Sequence, residues 1–313
     1  LLEPEHLPFR EGFASCNSGM MHACGHDGHT TIGLGLAHVF KSLESQLSGT
    51  VKLIFQPAEE GTRGAKSMVE AGVVDDVDFF TAVHIGTGVP AGELVCGSDS
   101  FMATSKLDVT FRGVASHAGA RPEDGRNALL AAAQAALGLY AIPRHSEGSS
   151  RINVGVLQAG TGRNVIADRA FMKVETRGAT NEINAFVYQQ ALNAIEGAAK
   201  MHGVACDIAL MGAAQSSKPT QPWVDYIRRQ AQQVTELTSV VDRREQAAGS
   251  EDATYMMERV KSRGGQASYV IFGTELSAGH HNEKFDFNEQ VMAVAVKTLA
   301  SLALNLPTFG SEA

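Results

Sequence analysis

The stretch that decides the fold class runs from residue 50 to residue 84 and contains, in order, TVKLIF (50–55), GAKSMVEA (64–71) and FFTAVH (79–84). The first and third segments are short apolar runs rich in β-branched and aromatic residues, which predicts two strands. The middle segment predicts a short helix, because Gly72 follows it and glycine is frequent at helix C-termini. Strand, helix and strand in this order predict an α/β protein with a parallel sheet.

The rest of the chain divides into an α+β part and a second α/β part. A helix is predicted over residues 30–47. A different texture begins near residue 98, where strands and helices follow in the order β-α-β-β-α-β, which is typical of a ferredoxin-like module. The predicted elements of this module are strands at 106–112, 152–157, 171–176 and 204–211 and helices at 127–140 and 182–201.

A Ser- and Pro-containing segment at residues 212–222 reads as a linker, and α/β texture then returns. The predicted elements there are helices at 223–237, 252–260 and 288–304 and a strand at 267–272. We therefore expect an α/β domain formed by residues 1–98 and 214–313, with an α+β domain inserted at residues 99–213.

Composition excludes several classes of protein. The net charge of −8 argues against a surface for nucleic acid or anionic membrane. The longest apolar stretch, residues 128–142, is too short and too interrupted to cross a bilayer. The four cysteines are scattered along 313 residues, which does not resemble a disulfide framework and favours a reducing cytoplasm.

The strongest chemical signal is the segment HACGHDGH (22–29), which holds three histidines, a cysteine and an aspartate. Thiolate and imidazole are ligands for divalent metals of intermediate softness, and carboxylates extend the choice to manganese. Gly25 lets Cys24 and His26 turn toward one centre. The alternative interpretation is a polar loop that happens to be rich in histidine.

Three further segments carry ligand types. Glu59 and Glu60 follow the first predicted strand, and such a pair can divide into a metal ligand and a free general base. His84 ends the strand at 79–84, although a lone histidine there is also typical of a structural residue. His280 and His281 follow the strand at 267–272 in a glycine-flanked loop. Together these segments predict a catalytic metal site with room for two ions.

The inserted module has its own polar residues, His117, Asn164 and Arg177, which follow or end its predicted strands. Histidine, asparagine and arginine are suited to polarising a carbonyl group and binding a carboxylate, although turn and sheet-edge roles explain them equally well. The loop GTGRN (160–164) lacks the lysine of a phosphate-binding loop and opens no helix, so we reject nucleotide binding.

These motifs resemble those of the M20 metallopeptidase and amidohydrolase family, in its aminoacylase-like branch. The segments that carry the resemblance occur in family order over essentially the whole chain: MHACGHDGH (21–29), PAEEG (57–61), AVHI (82–85), SHAG (116–119), GSED (249–252) and HNEKF (281–285). The resemblance implies an exopeptidase-like (phosphorylase/hydrolase-like) α/β catalytic domain with an inserted ferredoxin-like lid and dimerisation domain. Family members also carry a further N-terminal part of the catalytic domain, which we expect to be missing here.

The resemblance also implies roles for individual residues. Five would be metal ligands: Cys24, His26, Glu60, His84 and His281. Cys24 would bridge two divalent ions, with Mn²⁺ favoured and Zn²⁺ an alternative, and His281 is preferred to His280 on its spacing to the following phenylalanine.

The family pattern further implies that Glu59 is the base that takes a proton from the attacking water. His117 would reach a neighbouring subunit's site and help to hold the oxyanion, while Asn164 and Arg177 would bind the substrate carbonyl and carboxylate.

The expected activity is hydrolysis of an N-aroyl or N-acyl amino acid, with p-aminobenzoyl-glutamate as the favoured substrate. Two alternatives remain open, a broader N-acyl-amino-acid deacylase and a non-catalytic metal-binding partner subunit. The expected assembly is a homodimer or a heterodimer with a related subunit.

Overall fold

The computed structural model describes residues 15–99, 101–244 and 249–309, and within them the chain forms two four-stranded sheets. The helices are α1 (His26–Ser42), α2 (Gly64–Glu70), α3 (Ala128–Tyr140), α4 (Asn181–Met201), α5 (Gln221–Ala231), α6 (Thr254–Ser262) and α7 (Gln290–Leu304). The strands are β1 (Phe79–Ile85), β2 (Glu93–Val95), β3 (Ala103–Arg112), β4 (Ser150–Ala159), β5 (Arg169–Gly178), β6 (Ala205–Ala214), β7 (Ser239–Val241) and β8 (Gln266–Phe272).

The first sheet has the strand order β1-β8-β2-β7. Strand β1 runs parallel to β8, and β2 runs antiparallel to β8 and parallel to β7. Every residue of β8 after Gln266 is buried, as expected for a central strand that is covered on both faces. The carboxyl ends of β1 and β8 therefore lie side by side, with His84 opposite Ile271.

Helices cover both faces of this sheet. On one face α1, α5 and α7 pack against Val270 and Phe272 of β8. On the other face α2 and α6 pack against Tyr269 and Ile271 of the same strand. The alternation of side chains along a strand sends neighbouring residues of β8 into two separate cores.

The second sheet is antiparallel throughout, with the order β4-β5-β3-β6. Helices α3 and α4 pack on one face against Leu107, Val109 and Phe111 of β3, which alternate with less buried residues. Its elements follow in the predicted order β-α-β-β-α-β. The division at residues 98 and 213 stays a prediction, and residues 1–14 and 310–313 of the outer segments lie outside the described residues.

The strand predicted at residues 50–55 is wrong. Residues 50–58 have no regular secondary structure, and no described strand pairs with them. A strand is defined by its ladder partner, and the side chains of Val51 and Phe55 are correspondingly exposed. The sheet is also mixed rather than parallel, because the short strand β2 inserts beside β8 in the opposite direction.

Two helix predictions need correction at their ends. Helix α1 begins at His26 rather than at residue 30, because Gly25 directly before it adopts a left-handed conformation with φ of 85°. It ends at Ser42, and Glu44–Gln46 form a separate 3-10 turn. Helix α5 ends at Ala231, six residues before the predicted end. Across the described residues, no helix combines the length and the apolar character needed to span a membrane.

Candidate metal centre

Gly25 sets the direction of the first two candidate ligands. Its left-handed conformation separates Cys24 from His26, which opens α1, so the two side chains leave a tight bend. A side chain at this position would also collide with Ile85, since a Cβ atom would lie 2.9 Å from Ile85 Cδ1. The bend therefore packs directly against the end of β1, where His84 is located.

His84 is held with one ring nitrogen directed at Cys24. Its Nδ1 donates a hydrogen bond to the carbonyl of Ile85 at 2.7 Å, which leaves Nε2 as the unprotonated nitrogen, 3.6 Å from Cys24 Sγ. Burial lowers the pKa of His84 to about 3, so the imidazole is neutral. An oriented, neutral imidazole of this kind is suited to metal binding.

The two glutamates lie on the 3-10 turn Glu59–Gly61, which follows the extended residues 50–58. His26 Nε2 is 3.8 Å from Glu59 Oε2, and His26 Nδ1 is 4.0 Å from Glu60 Oε1. His281 Nε2 is 3.2 Å from Glu60 Oε2. The turn thus brings both carboxylates to the segment around Cys24.

The donor atoms form overlapping groups in which each atom lies within 4.8 Å of the others. Cys24 belongs to two groups, one with His26 and His84 and one with Glu60 and His281. Burial and the neighbouring Glu60 and Glu59 raise the pKa of the Cys24 thiol to about 12, and bound cations would reverse this effect. A thiolate shared between two groups of nitrogen and oxygen donors fits a site for two divalent ions.

The structure separates the roles of the two adjacent histidines. His280 Nε2 accepts a hydrogen bond from Thr87 N at 2.8 Å, so this nitrogen serves the protein backbone. His281 has a left-handed backbone with φ of 62°, and its N–H donates to Ala23 O at 2.7 Å. That conformation directs the His281 imidazole toward Glu60 and supports the choice of His281 as ligand.

Four residues of the site were not assigned a role from the sequence. Glu251 is buried and accepts a hydrogen bond from Tyr269 at 2.7 Å. Asp252 accepts hydrogen bonds from Gln56 Nε2 at 2.6 Å and from the backbone of Ala65 at 2.9 Å. Glu251 and Asp252 also form a possible donor group with Glu59. The stretch GSED (249–252) was the available signal, but it does not reveal burial.

Burial and the nearby Glu251 raise the pKa of Glu59 to about 8. A carboxylate with a raised pKa accepts a proton more readily near neutral pH, which suits a general base. His29, the third histidine of the first motif, accepts a hydrogen bond from Ile85 N at 3.1 Å through Nε2. His29 therefore supports the end of β1 and is not a member of any donor group.

The remaining candidates belong to the second sheet and its loops. His117 is exposed, and its Nδ1 accepts hydrogen bonds from Gly119 N and Ala120 N at 3.2 and 3.1 Å. Nε2 is therefore the protonated nitrogen and can donate to a ligand. The carbonyl of Asn164 accepts from Ala118 N at 3.0 Å, which joins the loops of the two residues. Neither belongs to the metal donor groups.

Arg177 lies on β5 and binds Glu175 of the same strand with two parallel hydrogen bonds. Nε donates to Oε2 at 3.0 Å, and a terminal nitrogen donates to Oε1 at 3.1 Å. A guanidinium group in this arrangement is already paired with a carboxylate. Binding of a substrate carboxylate by Arg177 would require it to share or exchange this partner.

Residues 3–305 match the family described as Peptidase family M20/M25/M40. The chain belongs to this family. The M20 match confirms the family expected from the motifs, and with it a metal-dependent hydrolase that acts on amide bonds.

Two similar M20 proteins are a p-aminobenzoyl-glutamate hydrolase subunit from Escherichia coli (strain K12) and indole-3-acetyl-aspartic acid hydrolase from Enterobacter agglomerans. The chain is 67% identical to the first and 66% identical to the second. Each alignment covers 96% of this chain and 69% of the relative.

Solved structures of M20 proteins are also similar. An aminobenzoyl-glutamate utilization protein from Klebsiella pneumoniae has a TM-score of 0.83 and 62% identity, covering 88% of this chain and 67% of that one. A dinuclear metal binding peptidase from Bacillus subtilis has a TM-score of 0.71 and 26% identity, covering 96% and 77%. Both matches support the mixed α/β fold, and the second supports a site for two metals.

Proposed function

We propose that this chain hydrolyses the amide bond between an aromatic acyl group and an acidic amino acid, with p-aminobenzoyl-glutamate as substrate and p-aminobenzoate and glutamate as products. The observation that carries the proposal is the pair of donor groups that share Cys24, with Glu59 beside them. The Escherichia coli and Enterobacter relatives support the substrate class, because both names combine an aromatic acyl group with glutamate or aspartate.

The proposed metal ligands are Cys24, His26, Glu60, His84 and His281. Their sulfur, nitrogen and oxygen atoms suit two divalent ions, with Mn²⁺ proposed and Zn²⁺ as the alternative. When bound, such ions supply Lewis-acid activation of the attacking water and of the substrate carbonyl. Cys24 takes the shared position, since it belongs to both donor groups.

Glu59 is the proposed general base and acid. Its carboxylate takes a proton from the attacking water and later returns it to the leaving nitrogen of the amino acid. Glu251 lies in the same group of carboxylates, and Tyr269 holds it by a hydrogen bond. This arrangement keeps negative charge near Glu59 and favours uptake of the proton.

The second sheet is proposed as a lid and dimerisation domain formed by residues 99–213. His117 donates through Nε2 to the oxyanion, because its Nδ1 is occupied by two backbone N–H groups. Asn164 binds the substrate carbonyl from the adjoining loop, and Arg177 binds a carboxylate by exchanging partners with Glu175. His117 is exposed and outside the donor groups, which supports a role in a neighbouring subunit's site.

The proposed assembly is a homodimer or a heterodimer with a related subunit. The Escherichia coli relative is named as one subunit of its hydrolase, which supports a partner chain for that protein. All four cysteines are free, which supports the proposed location in a reducing cytoplasm.

A substrate panel tests the proposed activity. The purified chain, loaded with Mn²⁺ or Zn²⁺, is assayed by chromatography with p-aminobenzoyl-glutamate, indole-3-acetyl-aspartate, N-acetyl-methionine and N-acetyl-leucine. Selective release of p-aminobenzoate supports the proposal, and equal turnover of the N-acetyl amino acids supports a broad deacylase instead. Stoichiometric metal binding without turnover of any substrate, with or without a related partner chain, would overturn the proposed catalysis.

A further inference from the structure

The turn that carries both glutamates has an unusual backbone. Ala58 and Thr62 flank Glu59–Gly61, and both adopt the left-handed conformation, with φ of 59° and 52°. This conformation is unfavourable for residues other than glycine, so surrounding contacts must hold the turn in place. Within the turn, Thr62 N donates to Glu59 O at 2.6 Å, but such a local bond does not orient the turn relative to Cys24.

The contacts that orient the turn come from the second sheet. Ala213 N of β6 donates to Thr62 O at 3.0 Å. Lys106 Nζ of β3 donates to Glu60 O at 3.2 Å. Two neighbouring strands therefore bind the backbone of the turn, one at Glu60 and one at the residue that ends it.

These contacts arise from two adjacent positions of one strand pair. Lys106 faces Gly212, and Ser105 faces Ala213. The register shifts directly beside them, because Leu107 faces Leu210 and leaves Met211 as an extra residue on β6. An extra residue of this kind bends a strand and redirects the residues after it, and here it brings the end of β6 to the turn.

Gly212 permits this close approach. A Cβ atom at residue 212 would lie 2.1 Å from the carbonyl oxygen of Gly61 and 2.6 Å from Thr62 Oγ1. Neither neighbour can move away freely, because the carbonyl is backbone and Thr62 is only 4% exposed. Only glycine fits between the strand and the turn.

We propose that Lys106 and Gly212 are positioning residues that couple the second sheet to the metal site by fixing the Glu59–Gly61 turn. The proposal rests on the metal site of the proposed function and adds a requirement outside it. Neither residue contacts substrate or metal. Each acts through the backbone of the turn, so the geometry of Glu60 as ligand depends on how the second sheet docks against it.

The test measures metal affinity in the full chain. Mn²⁺ and Zn²⁺ dissociation constants are determined by titration calorimetry on metal-free protein, together with its melting temperature. Lys106→Met keeps the aliphatic part of the side chain and removes the donor, and we expect affinity to fall about tenfold, as for other groups that orient a ligand. Lys106→Arg should restore most of the affinity, because a guanidinium can donate to the same carbonyl.

Lys173→Met is the matched control, since Lys173 is an exposed lysine on β5 of the same sheet. This variant should bind metal like the parent. A Lys106→Met protein with affinity within about twofold of the parent would overturn the proposal. Failure of the parent itself to bind metal would count against the proposed function rather than against the coupling alone.

Gly212→Ala provides a second test, with Gly155→Ala on β4 as its control, because a Cβ at residue 155 meets only Asn153 Nδ2 at 3.5 Å. We expect Gly212→Ala to lose metal affinity at least as strongly as Lys106→Met. A folded Gly212→Ala protein with parental affinity contradicts the proposal. Should this variant not fold, the Lys106→Met loss and its recovery in Lys106→Arg decide the question.

Discussion

Cys24 and His84 are 60 residues apart in the chain, yet Cys24 Sγ lies 3.6 Å from His84 Nε2. Cys24 precedes helix α1, and His84 is near the carboxyl end of β1. The contact exists because the Gly25 bend packs on Ile85, the residue after His84. This pair defines the position around which the other donor atoms gather.

Cys24→Ser should remove the shared ligand of the two donor groups. A serine hydroxyl has a far higher pKa than a thiol and binds these ions poorly as a neutral group. We expect both metal equivalents to bind at least about tenfold more weakly. Elemental analysis after dialysis measures the loss, and Cys16→Ser, at an exposed position, is the control. Two tightly held ions in Cys24→Ser would exclude a bridging role.

Glu59→Gln should abolish hydrolysis and leave metal bound. The amide is close in size to the carboxylate but cannot take up a proton, so turnover should fall about 10²- to 10⁴-fold. Release of p-aminobenzoate measures turnover, and calorimetry measures metal binding. Near-normal turnover would assign the base elsewhere, and loss of metal would make Glu59 a ligand.

His281→Ala and His280→Ala should separate a ligand from a structural residue. His281→Ala removes a donor near Glu60 and should weaken metal binding without changing the melting temperature of metal-free protein. His280→Ala leaves the Thr87 N–H without its acceptor and should destabilise metal-free protein by about 1–3 kcal/mol. Calorimetry and thermal melting distinguish the two effects. The reverse pattern would assign His280 as the ligand.

Metal removal should destabilise the protein. Ions that bind only the folded chain stabilise it, by about 2.7 kcal/mol at a free concentration one hundred times the dissociation constant. Thermal melting with and without a chelator measures the difference, and re-addition of Mn²⁺ or Zn²⁺ should reverse it. The metal-free Cys24→Ser protein provides the comparison, because the chelator should have little effect on it. An identical melting temperature in all samples would argue against a high-affinity site.

Asn184→Ala should destabilise the second sheet through a buried polar network. Asn184 Oδ1 accepts from Thr176 Oγ1 at 2.9 Å, and its Nδ2 donates to Ser105 Oγ at 3.0 Å. Removal leaves two buried hydroxyl groups without this partner, which costs about 1–3 kcal/mol of unfolding free energy. Denaturant unfolding measures the cost. Asn193→Ala on the exposed face of α4 should be nearly neutral, and equal losses in both variants would contradict the role of the network.

Local patterns predicted many elements of the fold. Strand β1, the central strand β8 and the alternating order of the second sheet follow from hydrophobic spacing, since each is long enough to show a period. Strands β2 and β7 have three residues each and carry no such pattern. The false strand at 50–55 has the composition of a strand, but composition does not supply the neighbour that a ladder requires.

The sequence by itself determined which chemical groups this protein has for a metal site and the order in which they occur. Tertiary structure alone decided how they are used. The backbone at residue 281 turns left-handed and selects one of two adjacent histidines, and burial beside Tyr269 gives Glu251 its influence on Glu59. Cys24 and His84 come together for the same reason: distances, burial and charge interactions arise only when distant segments pack.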